Sequence, residues 1–476
     1  MNSFFFGAGR LGRYWLSQWK NFKLEPDGIL DNNESLWGTM CDGVMVFSPD
    51  RIKEFDFDYI FVTCRNENEI IQQLSDLEIP EKSIISGDHN IINHMFYYAA
   101  KKMISTESME EFYDSDFVSK VLFDLQNGMV LGGVEAWSYD LAKRLKETGH
   151  QGVYLAADPV GEEIRDEIYP VCTLGLESIE KQKNKIELCI KEISKNLPCT
   201  IICNFPQHIF WSACFVKGMY PEKVRIIAVQ HSDDRLYYNA YSLWQEYIDR
   251  CMVISSAIEH KLLSFGMDQN KIVRLEWNIF CKERIDRQWS RENTCLEIGY
   301  AGRVTMRPKR VDLFIPLAEK LKRIHVNFQI NIAGTGNYGE KLKERIQEEG
   351  LQDCMTCIGY IDRQDIPDFW SRQDIMISCS EWEGHSISQS EAMAEGAVPV
   401  ITDVSGARDD VTDGYNGYVV NVGDIDALAD RIQELYLDRD KLEQMGIRAH
   451  NTICRRQKNR DQTVFWDDLI KKVWQK

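Results

Sequence analysis

The feature that most limits how this chain can fold is a regular alternation of short apolar runs with segments of helical periodicity, in three successive blocks. Apolar runs of roughly four to eight residues bounded by turn residues are buried strands, and strands alternating with helices build parallel α/β layers. The first block, residues 1–110, carries FFF, GILD, YIFVTC and SIIS; the polar, acidic MISTESMEEFYDSD (103–116) that follows reads as a linker. The second, 117–281, opens on KVLFDLQ and passes through GMVLGGVEAW into a helix with Val134, Trp137, Leu141 and Leu145 on one face and Gly149 at its end. Strands VYLAA, TIICN, RIIAVQH and MVISS follow, and the charged, irregular stretch 278–293 reads as a hinge. The third block, 290–458, carries IGYAG, FQINIAG, MTCIG, IMIS, VPVIT and GYVV between helices. A final helix at 462–474 bears Val464, Phe465, Trp466, Leu469 and Trp474. A length of 476 residues, at about 150 residues per domain, agrees with three units.

A net charge of −18 disfavours nucleic acid and anionic lipid as partners, while leaving room for a local basic pocket. No window reaches about 18 consecutive apolar residues, and the N-terminus has no basic segment ahead of a long apolar stretch. Fourteen cysteines are scattered without CxxC pairs or histidines at zinc spacing. Several lie in apolar runs, as Cys203 and Cys379 do. Reduced thiols, a cytoplasmic location and no metal site are therefore expected.

The most informative stretch runs from Glu381 to Gly396, between the strands IMIS and VPVIT. In open parallel sheets, such strand ends border the ligand crevice. Glu383 is expected in the loop and Glu391 in the first turn of the following helix, with outward-facing amides around Gly384, His385, Ser386, Ile387 and Ser388 suited to phosphate. Two carboxylates flanking a phosphate seat suit a nucleotide sugar. Ser388-x-x-Glu391 also reads as a capping box, in which Glu391 only closes the helix start, and Glu381 reads as a solvated loop charge. A second cluster, Arg303, Arg307, Lys309 and Arg310, follows IGYAG. Cations are mildly unfavourable at a helix start, and a diphosphate gaining charge as its bond to a sugar breaks would give them a purpose. Gly132 and Gly133, between strand and helix, permit close approach to a ligand or simply a tight turn. His231, closing RIIAVQH, stands at a strand end, where a lone histidine is more often structural.

Together these elements resemble the retaining glycosyltransferases of family GT4. EGHSISQSEAMAEGAVPV is similar to the family's EGF-x-L-x-x-x-EAMA-x-G-x-PVV signature, and YAGR with KRVDLFI to its GR…K-G-x-D element. IAGTGNYGEKL, SGARDDVTDGYNGYVV and GGVEAWSYDLAKRLKETGH are similar to three further family segments. The resemblance implies the GT-B fold, two Rossmann-like domains facing a cleft, with the last helix crossing back to the N-terminal one. It implies a nucleotide-sugar donor, a UDP-sugar in first place, and retention without metal or cofactor. Arg303 and Lys309, or Arg307 in its place, would grip the diphosphate; Glu391 the ribose; Glu383 the donor sugar; and the backbone at Gly384–Ile387 sugar and phosphate. Gly359, Tyr360 and Ile361 would flank the base, and His231 would approach the transferred sugar. His385 stands where the family has an aromatic residue, and Arg408-Asp409-Asp410 matches its acidic position only loosely. The implied setting is bacterial surface polysaccharide or glycoconjugate synthesis. The acceptor would be a carbohydrate, lipid-linked glycan or protein, with peripheral membrane or complex association open.

The first block carries Gly7, Gly9 and Gly12 after a strand, with Asp31 closing the next strand, which is the dinucleotide fingerprint in its usual context. It is similar to small Rossmann-like domains attached to bacterial surface-glycan enzymes, and a recruiting or vestigial role is favoured over ligand binding. Three rival readings remain at this point: a nucleotide-sugar epimerase of GT-B type, a non-catalytic subunit of a glycosyltransferase complex, and an oxidoreductase module in the first block.

Overall fold

The computed structural model describes residues 2–104, 120–125, 133–156, 179–275, 279, 281–285, 287–292, 294–457 and 461–475. Gly132 and most of the 103–116 segment lie outside the described residues.

The first unit contains β1 (Ser3–Phe6), α1 (Arg10–Asn21), β2 (Gly28–Leu30), β3 (Met40–Cys41), β4 (Val44–Phe47), β5 (Tyr59–Val62), α2 (Glu67–Asp76), β6 (Ile84–Ile85) and α3 (Asp88–Ile104). Its sheet runs β3-β4-β2-β1-β5-β6, parallel except for the β3/β4 hairpin. That hairpin and α3 had no clear sequence signal. The hairpin strands are short and exposed on alternate residues, while α3 is apolar around most of its circumference because it is buried on several sides.

The second unit contains β7 (Lys120–Leu125), α4 (Gly133–Glu147), β8 (Gln151–Ala156), α5 (Ile179–Lys195), β9 (Cys199–Cys203), α6 (His208–Met219), β10 (Val224–Gln230), α7 (Arg235–Leu243), β11 (Arg250–Val253), α8 (Ser256–Ser264) and β12 (Ile272–Arg274). Its sheet, in the order β12-β11-β10-β9-β7-β8, is parallel throughout. β9 and most of β10 are fully buried, as expected of near-continuous apolar runs covered on both faces. Asp234 caps α7 through the Leu236 amide, and Ser255 caps α8 through that of Ile258.

The third unit contains β13 (Leu296–Ala301), α9 (Phe314–Arg323), β14 (Phe328–Ala333), α10 (Gly339–Glu348), β15 (Met355–Gly359), α11 (Ile366–Ser371), β16 (Ile375–Ser378), α12 (Ile387–Ala394), β17 (Val398–Thr402), α13 (Ala407–Asp410), β18 (Tyr418–Val420), α14 (Ile425–Leu437) and α15 (Arg439–Gln457). Its parallel sheet is ordered β15-β14-β13-β16-β17-β18. The order reverses between β13 and β16, so their carboxyl ends border a switch-point crevice. The chain then returns to the second unit as α16 (Gln462–Trp474). There Trp466 packs on Trp137, and Trp474 donates its indole N–H to Thr200. The 278–293 stretch is irregular where described, but its second half is fixed to the third unit. Trp289 is buried and donates to the Gly396 carbonyl, while Arg287 pairs with Asp374.

One apolar core runs from the first sheet into the second unit, so the first unit is fused to it. At the joint, the fully buried Asn93 of α3 accepts hydrogen bonds from two indoles on one amide oxygen, Trp211 Nε1 and Trp244 Nε1, each at 2.8 Å. Arg235 adds bonds to the carbonyls of Glu81 and Ile84. Contrary to the expectation of reduced thiols throughout, Cys281 and Cys454 are joined as a disulfide. The other described cysteines are free. Among the described residues no helix is long and apolar enough to cross a membrane.

Asn93→Leu strands two buried indole donors, each costing roughly 1–3 kcal/mol. The urea midpoint of unfolding is expected to fall by the equivalent of about 2–6 kcal/mol. An unchanged midpoint would mean that the joint does not hold the two units together.

Candidate active site

Four neighbouring strands of the third unit end along one edge, and their loops interlock. The Gly302 amide bonds the Ala333 carbonyl, and the Gly334 amide bonds that of Gly359. Two glycines are required here by backbone contact: a Cβ on Gly334 would come within 1.9 Å of the Gly302 oxygen, and one on Gly336 within 2.3 Å of the Val304 oxygen. The loop after β13 is thereby held flat against the loop after β14. Ser388 on α12 donates to the Ala301 carbonyl, and the Glu381 amide to that of Pro308, which ties the 379–386 loop to the same edge.

The four cations after β13 do not share one fate. Lys309 pairs with Glu383 at 2.5 Å, and the Ser380 hydroxyl donates to the same carboxylate oxygen. Arg310 is forked between Asp312 and Glu381. Arg307 is largely exposed and touches Glu381 from the solvent side. Glu381 is therefore the common partner of two arginines, which corrects its reading as a solvated charge. These carboxylates also relieve the conflict between clustered cations and a helix start. The Arg303 carbonyl accepts from the Tyr300 hydroxyl, but its guanidinium stands apart, exposed and without a hydrogen-bonded or ion-pair partner among the described residues. Its charge acts on Glu135, in the first turn of α4 across the cleft, against the burial that raises the Glu135 carboxyl.

Ser386, not Ser388, caps α12, its side chain accepting from the Gln389 amide. The Ser388–Glu391 capping box is therefore absent. Glu391 lies beyond the first turn, a second correction, because the helix begins at Ile387. Its side chain is half-buried, and that desolvation holds the carboxyl up at about 7, with Arg363 pulling the other way. The His385 ring is turned into the third unit, 3.1 Å from the Ser390 hydroxyl and 3.3 Å from Asp410. Burial lowers it to about 4, so at the cleft its contribution is through backbone. Gly359 ends β15 with its carbonyl on Gly334, Tyr360 is strongly exposed, and Ile361 is half-buried.

The second unit faces this edge through its own strand ends. A Cβ on Gly384 would lie 2.1 Å from the His231 carbonyl oxygen, so the signature loop touches the end of β10 and only glycine fits there. His231 Nε2 is 2.9 Å from Asn204 Oδ1, whose amide nitrogen is already donating to Asp124 O and Ser138 Oγ. Nε2 therefore carries the proton and Nδ1 is an acceptor. Burial lowers this imidazole to about 3, so it is neutral, with its ring against Trp137. Beside it, Asp409 of the third unit accepts from the amide and hydroxyl of Ser256 and pairs with Arg274. Ser405 donates to Asp233. Burial pushes the Asp409 carboxyl up, but Ser256 and Arg274 outweigh it and hold the group below its ordinary value. Glu135 and the Asp409 partners escaped the sequence reading; a carboxylate in the first turn after a Gly-Gly loop was the one signal available.

In the first unit, Gly7 adopts φ of 118°, and a Cβ on Gly12 would strike the Gly7 oxygen at 1.8 Å, so both glycines serve the tight turn. Gly9 has open space around it. Asp31 turns inward, its carboxylate accepting from the Ala8 and Asn33 amides. The loop amide and the acidic side chain that a dinucleotide would use are bonded to each other.

One further cluster lies at the Cys281–Cys454 disulfide. Cys281, His450 and Cys454 bring their ligand atoms within 4.8 Å of one another. Residues 173 apart in sequence gave no local spacing to read.

Residues 282–452 match the family model described as Glycosyl transferases group 1, and residues 2–85 the model described as C2185-like, N-terminal. The lipopolysaccharide core biosynthesis mannosyltransferase LpsB of Rhizobium meliloti is 29% identical over 169 residues, 34% of this chain and 46% of that protein. The poly(ribitol-phosphate) alpha-N-acetylglucosaminyltransferase of Staphylococcus aureus is 26% identical over 176 residues, 36% of this chain and 35% of that protein. The chain thus spans less than half the length of either relative. Among solved structures, Anabaena HepE in complex with UDP-glucose superposes with a TM-score of 0.58 at 17% identity, covering 74% of this chain and 98% of that one. At that identity the likeness is one of fold. The second and third units adopt the GT-B arrangement, and the first unit adds its own sheet.

Between 4.5, its ordinary value, and about 7, the folded chain keeps a proton on Glu391 that the unfolded chain has released. Stability from this group therefore falls as pH rises through that window. Glu391→Gln is expected to raise the urea midpoint above the parent's at pH 8, with the difference vanishing towards pH 4.5. A difference independent of pH would show a carboxyl in ordinary contact with water.

Proposed function

We propose that this chain is a retaining, metal-independent glycosyltransferase of family GT4. It would transfer a sugar from a nucleotide sugar, a UDP-sugar in first place, to an acceptor in bacterial surface polysaccharide or glycoconjugate synthesis, in the cytoplasm and without a cofactor. The acceptor is a carbohydrate, a lipid-linked glycan or a protein. The observation that carries the reading is the asymmetry of the cation cluster. Arg303 is exposed at the switch point with no ion-pair partner among the described residues, while Lys309 is held beside it on Glu383. The relatives, both named as sugar transferases, and the UDP-glucose complex of a structural neighbour support the donor class.

In this mechanism the donor diphosphate takes Arg303 and draws Lys309 from Glu383, which is released to accept from the sugar hydroxyls. The α12 amides at Ser386 and Ile387 receive a phosphate oxygen at a helix N-terminus. Glu391 accepts from the ribose, and Gly359–Ile361 border the base. As the bond from C1 to the phosphate oxygen breaks, a new bond to the acceptor oxygen forms on the same face. The acceptor proton passes to the leaving phosphate. Fixed cations stabilise the growing phosphate charge more than the ground state. Neutral His231 is a positioning acceptor beside the transferred sugar.

The test is incubation with UDP-, GDP- and ADP-sugars in EDTA, following nucleotide release and sugar identity. One donor is expected to be consumed, with Arg303→Ala and Glu383→Ala each lowering turnover about 10²–10³-fold. An epimerised sugar still attached to its nucleotide would favour the epimerase reading. Failure to bind any of the three nucleotides would overturn the catalytic assignment and favour the partner-subunit reading.

A further inference from the structure

Both peptide segments that cross between the second and third units pass one spot. Cys281 lies in the segment entering the third unit, and Cys454 lies near the end of α15, just before the chain returns as α16. Between them sits the buried imidazole of His450. Its Nδ1 is 2.6 Å from the Ala394 carbonyl, at the end of α12 remote from the cleft. A carbonyl only accepts, so Nδ1 carries the proton and the Nε2 lone pair is left facing Cys454 Sγ at 3.4 Å. That separation is close to the edge of a tetrahedron built with Zn–N of about 2.0–2.1 Å and Zn–S of about 2.3 Å, which is about 3.5 Å.

We propose that Cys281, Cys454 and His450 form a zinc site in the reduced protein. Three features carry the assignment. The donors are two soft sulfurs and one imidazole nitrogen, the ligand chemistry zinc prefers. The imidazole is fixed in the ligating tautomer by a backbone carbonyl, the outer-shell arrangement that orients metal-binding histidines. The buried ring lies against both sulfurs, with Cys454 Sγ 3.4 Å from Nε2 and Cys281 Sγ 3.7 Å from Nδ1. The surrounding sulfur chemistry points the same way, since the other described cysteines are free thiols and most are buried. In the structure the two sulfurs are bonded to each other. Opening that bond takes two electrons and two protons from a dithiol reductant, which becomes a disulfide in turn. Zinc then displaces one proton from each thiol, and the fourth coordination position is open to water. The ion would pin the entering and returning segments to each other and, through Ala394, to the end of α12. The assignment is independent of the transferase reading, because none of the three residues belongs to that site.

The test uses the full-length chain, reduced with a phosphine, with its thiols counted and stripped by chelator, then titrated with cobalt(II) followed by zinc(II). The expected result is one cobalt per chain with a sulfur-to-metal charge-transfer band that zinc abolishes, and a melting temperature raised by the metal. Cys454→Ser and Cys281→Ser should each lose most of the band. His450→Ala should keep thiolate absorption but bind at least about tenfold more weakly. Absence of the band in the reduced parent chain would overturn the proposal without recourse to any variant. So would a Cys281–Cys454 disulfide that resists reduction in peptide mapping, or a band that survives in the Cys281→Ser/Cys454→Ser double variant.

Discussion

The carboxylate of Asp409 governs how the second and third units face each other. It is held by the amide and hydroxyl of Ser256 and by Arg274 across the unit boundary. A charge this well buried is tolerable only while every partner is in place. Losing any one of them would leave that charge uncompensated. Close by, the loop at Gly384 rests on the His231 carbonyl, so the arrangement that satisfies Asp409 also sets the signature loop against β10. The geometry of the cleft follows from that pairing more than from either sheet alone.

Much of this architecture was readable before any coordinates. Buried parallel strands such as TIICN and VPVIT are uninterrupted apolar runs, and their spacing required crossover helices. What could not be read was structure whose pattern is cancelled by burial on several sides. α3 is apolar around most of its surface because it is a joint, packing beneath the first sheet and against α6 and α7 of the second unit. The short β3/β4 hairpin carries too few residues for a period to emerge.

The site was legible at the level of which residues gather, and less so at the level of which atoms they use. Lys309 meets Glu383 at the strand edge that also carries Arg303. Helix phase decided the rest. A start at Ile387 moved the cap to Ser386 and placed Glu391 deeper along α12, while Ser388 became a tie to β13. Contacts between residues far apart in sequence, such as Asp409 with Arg274, or Cys281 with His450 and Cys454, leave no local pattern and emerge only from the fold.

The Lys309–Glu383 pair gives the cleft an unusual property: each charge is already the other's counterion. In the proposed reaction, a free nucleotide would claim the lysine but leave a carboxylate with nothing to bind. A free sugar can engage the carboxylate only while competing with the lysine for it. In the proposed reaction, a molecule carrying both a diphosphate and a ring of hydroxyls satisfies both halves at once, so opening the pair is repaid only by an intact donor. On that reading, selectivity would lie in the exchange of partners, and each fragment of the donor would be rejected more strongly than by the shape of the cleft alone.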